Sequence, residues 1–217
     1  MHDTVFHPLY NNMHNNIMLE ENAKYLMLNM MDKITGIIAL TNWHKNFLIN
    51  YYGLDPNKIF IIGNGLAQEN FNKKVDKIKN RFIYTSAPNR GLDKLIEYML
   101  EIRKTVPDVT LYIYRGLDDF DNNTKPILDK IKKYPYKDFV KFMGKVDQET
   151  LAVEMLKSEY WFYPTNFTET YCMSGLEAMA AGCMCITSDL AALHDTIGDR
   201  GILIKNSNRY SEEYKKH

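Results

Sequence analysis

The sequence predicts an α/β fold built on a doubly wound parallel sheet, and three observations carry that prediction. Apolar runs of strand length alternate strictly with stretches whose apolar residues recur at helical spacing. Glycine-bearing turns such as Gly53 and Gly63-Asn64-Gly65 separate them. The 217 residues are 45% hydrophobic and 25% charged, the proportions of a globular protein rather than a disordered, collagenous or coiled-coil one. In chain order, residues 1 to about 22 carry scattered His and clustered Asn without a period and read as loop, while Ala23, Leu26, Met27 and Met30 place a helix over Glu20 to Met31. Gly36 to Leu40 reads as a buried strand, Trp43 to Tyr52 as a helix closed by Gly53, and Lys58 to Ile62 as a strand, together a β-α-β fragment. Residues 67–80 are polar and weakly periodic and read as an interdomain linker. A second series follows: strands at Phe82–Ser86, Val109–Tyr114, Val140–Met143, Tyr160–Tyr163, Cys183–Thr187 and Gly201–Lys205, with helices at Leu92–Lys104, Lys125–Lys133, Gln148–Leu156 and Ser174–Ala181. Such alternation means parallel strands joined by right-handed helical crossovers, and sheets of this kind bind ligands at the carboxyl ends of their strands.

Charge and cysteine usage narrow the function. Lys plus Arg and Asp plus Glu number 27 each, so the formal net charge is zero and no field of one sign gathers nucleic acid or an anionic membrane. An anionic ligand must be held by a local site. Cys172, Cys183 and Cys185 are odd in number and lack metal-ligand partners at useful spacing, which argues against a disulfide framework or a zinc site and for a reducing, cytoplasmic setting. Apolar runs such as Ala178 to Ile186 are too short to span a bilayer, and Met1-His-Asp-Thr4 does not start a signal peptide.

Two segments carry chemistry. Thr85-Ser-Ala-Pro-Asn-Arg90-Gly91-Leu92 leaves a strand and enters a helix, where Arg90 offers a planar fork to phosphate oxygens and Gly91 admits a phosphate to free amides. The plainer alternative is a βα turn with Arg90 solvated. The second, Pro164 to Gly182, sets Glu169 and Glu177 eight residues apart around a helix start near Ser174, so that amides of Cys172 to Gly175 form an anion pocket and each carboxylate accepts from adjacent sugar hydroxyls. That arrangement suits a nucleotide sugar. Against it, Ser174-Gly-Leu-Glu177 also matches a capping box, and Glu169 alone reads as a solvated loop residue. Cys172 has no neighbouring base to make it a nucleophile. His2, His7 and His14 read as solvated loop residues, with an acceptor-side role as the alternative.

In order and spacing, Ile59-Phe-Ile-Ile-Gly-Asn64-Gly65, Arg90-Gly91-Leu92, Phe142-Met-Gly144-Lys-Val146, Glu169-x7-Glu177 with the tail Ala178-Met-Ala-Ala-Gly182, and Gly201-Ile-Leu-Ile204 resemble the GT-B glycosyltransferases, most of all the retaining enzymes of glycosyltransferase family 4. The resemblance implies a nucleoside-diphosphate sugar as donor, Glu169 at the catalytic centre holding donor-sugar hydroxyls, and Glu177 holding the ribose. It also implies Arg90 and Gly91 at the diphosphate with amides of Tyr171, Cys172, Met173 and Ser174, Val146 beside the base, and no metal or other cofactor. Ser86 lies in the region where the family often has a second basic residue, and Tyr171-Cys172 replaces its usual Phe-Gly. By the same resemblance residues 1–66 correspond to a remnant of the acceptor-side Rossmann-like domain, 67–80 to a linker and 81–217 to the donor-binding domain, as though the chain were trimmed at both ends. The implied partners are the donor, an acceptor, and a second chain supplying the acceptor domain. Competing expectations are a non-catalytic nucleotide-sugar binding half with an exposed apolar patch at Ile37, Ile38, Trp43 and Phe47, an epimerase of related fold, and an inactive remnant.

Overall fold

A computed structural model describes residues 33–114, 125–136 and 138–205, with Tyr25, Leu28 and Asn29 before them. The predicted helix at Glu20–Met31 falls almost wholly outside the described residues, as do the three early His. The chain forms two compact units, one ending at Asn64 and one running Gly65–Ser207.

In the first unit, strands β1 (Ile37–Ala39) and β2 (Ile59–Ile61) pair in parallel, Ile37 opposite Ile59. Helix α1 (Asn42–Tyr52) joins them. It starts where the Thr41 hydroxyl accepts the His44 N–H at 3.1 Å and stops where Gly53, at φ 70°, returns its N–H to the Ile49 carbonyl at 2.9 Å. Phe47, Leu48 and Tyr52 pack from α1 onto Ala39, Leu54 and Ile59. The apolar surface of this unit differs from expectation. Phe47 is buried and Trp43 half-buried, because both face their own helix–strand core, whereas Ile38, Phe60, Ile61 and Ile62 are 44–59% exposed.

The second unit is a six-stranded parallel sheet: β3 (Ile78–Tyr84), β4 (Thr110–Ile113), β5 (Val140–Phe142), β6 (Ser158–Tyr163), β7 (Met184–Ser188) and β8 (Gly201–Ile204). Their spatial order is β5-β4-β3-β6-β7-β8, so the order reverses between β3 and β6. The crossovers are α2 (Leu92–Thr105), α3 (Lys125–Ile131), α4 (Gln148–Leu156), α5 (Met173–Ala180) and the short α6 (Leu193–Thr196). Leu92, Leu95, Ile96 and Met99 of α2 are fully buried, the stripe that helical periodicity sets against a sheet. Phe82, Ile83 and Tyr84 are buried in succession because helices cover both faces. Gly182, at φ 69°, ends α5, with the Cys183 N–H returned to the Ala178 carbonyl at 2.9 Å.

Two differences have clear causes. Residues 67–80, expected as connection, contain a 3-10 turn (Gln68–Phe71) and the start of β3, and Phe71 and Val75 pack on the second core. Strands β3 and β6 both begin earlier than their apolar runs. Ile78 pairs with Ser158 across an irregularity at which Asn80, at φ 56°, donates its N–H to the Glu159 carboxylate at 2.6 Å and its side-chain amide to Asp108 at 2.9 Å. Polar side chains hold that extension, so hydrophobicity does not announce it.

Candidate functional site

The loops leaving β3 and β6 flank the point where strand order reverses, the crevice in which open α/β sheets bind ligands. After β3, the Tyr84 hydroxyl donates to the Ala87 carbonyl at 2.7 Å and the Arg90 N–H to the same carbonyl at 2.9 Å, closing the 3-10 turn Pro88–Arg90. Gly91 follows at φ 99°, and a Cβ there would stand 2.2 Å from the Pro164 carbonyl oxygen. The Cβ side of Gly91 is thus occupied by the opposite loop, and its N–H is returned to the Pro88 carbonyl. What the missing side chain provides is the close approach of the two loops.

After β6, Thr165 Oγ1 accepts the Phe167 N–H at 2.9 Å, and the Glu169 carbonyl accepts the Ala192 N–H at 3.2 Å. The Glu169 carboxylate crosses the crevice: its Oε1 accepts Arg90 Nη1 at 3.1 Å and the Tyr163 hydroxyl at 2.7 Å, while the guanidinium carbon of Arg90 lies 3.8 Å from the centre of the Phe167 ring. Arg90 and Glu169 are 29% and 12% exposed at the side chain, and Tyr163 is fully buried. Burial, followed by the Glu169 charge, pushes the Tyr163 hydroxyl well above its ordinary pKa, so it stays a donor. Two residues singled out separately as ligand contacts are therefore partners of each other. Tyr163, hidden in an apolar strand, was not singled out at all; its place as the last residue of the strand before the loop was the available signal.

Helix α5 begins after Cys172, which adopts φ 71°, a left-handed conformation with a cost of about 1 kcal/mol or more for a side-chain-bearing residue. With Cys172 in that conformation the predicted capping box does not form: no side chain caps α5, and Ser174 Oγ lies 3.6 Å from Cys172 Sγ. The Gly175 N–H donates to the Cys172 carbonyl at 3.1 Å and so leaves the expected anion pocket. The first-turn amides of Met173 and Ser174 precede any intrahelical acceptor. Burial, then the charge of Glu169, pushes the Cys172 thiol up to about 12, so it is no nucleophile at neutral pH.

Released from a cap, Glu177 joins Met173 in lining a cavity of about 130 Å³ with Asn70, Phe71, Gln148 and Leu151. Burial raises its pKa, and no side chain among the described residues offsets that with a hydrogen bond. Ser86 is buried just beyond β3, beside Thr85 and Asn89, whose Oγ1 and Oδ1 are enclosed without hydrogen-bond partners. Val146 packs half-buried on the core after β5, two residues past Gly144 at φ 80°. Among the described residues, no three His, Cys, Asp or Glu side chains gather as a metal centre, and no helix is long and apolar enough to cross a membrane.

Sheet order, the crevice at β3 and β6, and an arginine–glutamate pair within it are those of a Rossmann-like α/β domain of the GT-B glycosyltransferase type. The pattern described as "Glycosyl transferases group 1" matches residues 79–216, and the chain belongs to that family. It is 27% identical over 163 residues, 67% of this chain and 36% of the relative, to the mannosylfructose-phosphate synthase of Agrobacterium fabrum. The crystal structure of Anabaena Alr3699/HepE in complex with UDP has a similar fold, with a TM-score of 0.73 at 16% identity over 90% of this chain and 57% of that one. A structure of the GtfA/B complex has a TM-score of 0.68 at 19% identity over 90% and 41%. The chain spans less than half the length of the curated relatives it matches.

Proposed function

We propose that this chain binds a nucleoside-diphosphate sugar in the crevice between the β3 and β6 loops and passes the glycosyl group to an acceptor, with retention as in family 4. The observation that carries this reading is Arg90 and Glu169, 79 residues apart in sequence, meeting at the strand-order reversal, where both charges act on Cys172, the residue before α5. In this reading Arg90 with the Met173 and Ser174 amides neutralises the departing diphosphate without a metal, Glu169 holds sugar hydroxyls, and Glu177 holds the ribose from the edge of its cavity. Val146 and Gly144 border the base, and Ser86, Tyr171 and Cys172 shape the floor. Three buried free cysteines suit the reducing cytoplasm in which such donors are used.

The HepE structure was solved with UDP, which supports a nucleotide donor here by analogy of fold. A partner polypeptide carrying the acceptor side is favoured by the first unit, where β1 and β2 pair only with each other among the described residues and expose Ile38, Phe60, Ile61 and Ile62. Titration calorimetry with UDP, GDP and ADP and with their sugar conjugates on the folded chain tests the donor site: binding that weakens in Glu177→Ala and Arg90→Ala is the expected result, and no binding of any of them overturns the reading.

A further inference from the structure

The two donors on Glu169 Oε1 come from different places. Tyr163 is fully buried at the end of β6 and cannot leave. Arg90 sits on the other loop, is 29% exposed, and rests on the Phe167 ring, which it can keep as a platform while its fork changes partner. Oε2 of Glu169 has no hydrogen-bond partner among the described residues and is left for a ligand hydroxyl.

We infer that Arg90, Glu169 and Tyr163 form a latch that makes the site prefer a nucleoside-diphosphate sugar over the bare nucleoside diphosphate. The inference rests on the donor-site reading above. A diphosphate that takes the Nη1 donor now on Glu169 draws the guanidinium off the Arg90–Glu169 pair, and the carboxylate then faces a second anion with Tyr163 to hold it. A donor carrying its sugar returns hydroxyl donors to that carboxylate and offsets the loss. A bare diphosphate returns nothing, and Arg90 closing back onto Glu169 helps expel it after transfer. Tyr163 is a positioning residue: it keeps the carboxylate at the crevice while Arg90 is away.

The test is calorimetric titration of the wild-type chain, Glu169→Gln and Tyr163→Phe with UDP, GDP and ADP and with UDP-glucose, GDP-mannose and ADP-glucose, with thermal unfolding to check that each variant is folded. Glu169→Gln removes the competing charge, so it is expected to bind the bare diphosphate about threefold to tenfold tighter, more so at low salt, while binding the sugar conjugate more weakly. Tyr163→Phe is expected to move the bare diphosphate the other way, to weaker binding, a split that general damage to the fold does not produce. A Glu169→Gln affinity for the bare diphosphate that is unchanged or weaker overturns the latch while the donor-site reading stands. An unchanged affinity in Tyr163→Phe removes Tyr163 from it. A folded wild-type chain that binds none of the six probes overturns the donor-site reading and the latch with it.

Discussion

The second unit contains two clusters of nearly the same composition. At the crevice, Glu169 Oε1 accepts from Arg90 and Tyr163, with Arg90 over Phe167. Deeper in the domain, Glu154 Oε2 accepts from Arg81 and Tyr114, with Arg81 lying 3.7 Å over the Tyr112 ring. Their surroundings separate them. Arg81 is 4% exposed at the side chain, and Glu154 holds a further ion pair to Lys157 at 2.7 Å, so both oxygens of that carboxylate are occupied from within. Arg90 is partly open to solvent, and Glu169 keeps an oxygen unused. The same side chains make a structural tie where the carboxylate is fully occupied and enclosed, and leave a carboxylate oxygen available where it is not, which is the feature the donor-site proposal uses.

The strongest way to break the comparison is to remove the glutamate from each cluster. Glu154→Ala strands a buried guanidinium and is expected to lower unfolding stability by about 3 kcal/mol or more, whereas Glu169→Ala costs about 1 kcal/mol, because Arg90 reaches water and the buried Tyr163 hydroxyl is what loses its acceptor; denaturant unfolding of both variants measures the contrast. Equal losses would erase the distinction. Next in size is Gly91→Ala, which drives a Cβ into the Pro164 carbonyl and forces a left-handed φ, for an expected loss of about 2 kcal/mol together with loss of nucleotide binding. Arg90→Ala is expected to leave stability within about 0.5 kcal/mol of wild type while weakening nucleoside-diphosphate binding about tenfold or more, which calorimetry reads directly.

Acid titration sharpens the contrast further. Burial alone would raise the Glu154 pKa, but hydrogen bonds from Lys157, Tyr114 and Arg81 outweigh it and hold the carboxyl at about 2, below its ordinary 4.5. Its stabilisation is therefore present above pH 4.5 and lost as pH falls toward 2, and Glu154→Gln should flatten that limb of the stability profile. Glu177 runs the opposite way. Burial raises its pKa above 4.5, so its contribution to stability declines as pH rises through the folded value, and Glu177→Gln is expected to stabilise the empty chain at neutral pH by about 0.5 kcal/mol while weakening nucleotide binding. That is the smallest effect, and a destabilised Glu177→Gln would mean that the carboxylate has a structural role after all.

Much of this was legible in advance, unevenly. Helix α4 matches its predicted span, Gln148–Leu156, since its Asp147 cap and apolar period are local signals, and Asp147 accepts the Thr150 N–H at 2.7 Å. The extension of β3 and β6 through Asn80 and Glu159 was hidden, because it is held by polar contacts between residues far apart in sequence. The Ser174–Glu177 capping box is the instructive failure. Its pattern is present, but Cys172 enters α5 in a left-handed turn that a four-residue pattern does not record, and Glu177 turns instead to the cavity.

By itself the sequence determined the fold class, the order of nearly every element, and the identity of the charged residues at the strand ends, since periodicity, capping and turn chemistry act within a few residues. Tertiary structure alone decided which of those charges meet. Arg90 and Glu169 become partners, Tyr163 becomes their third member, and Gly91 becomes a gap filled by Pro164, only because β3 and β6 lie side by side in the sheet. Hydrogen bonds and ion pairs act over a few ångströms of space, and no local pattern measures that distance across 79 residues of chain.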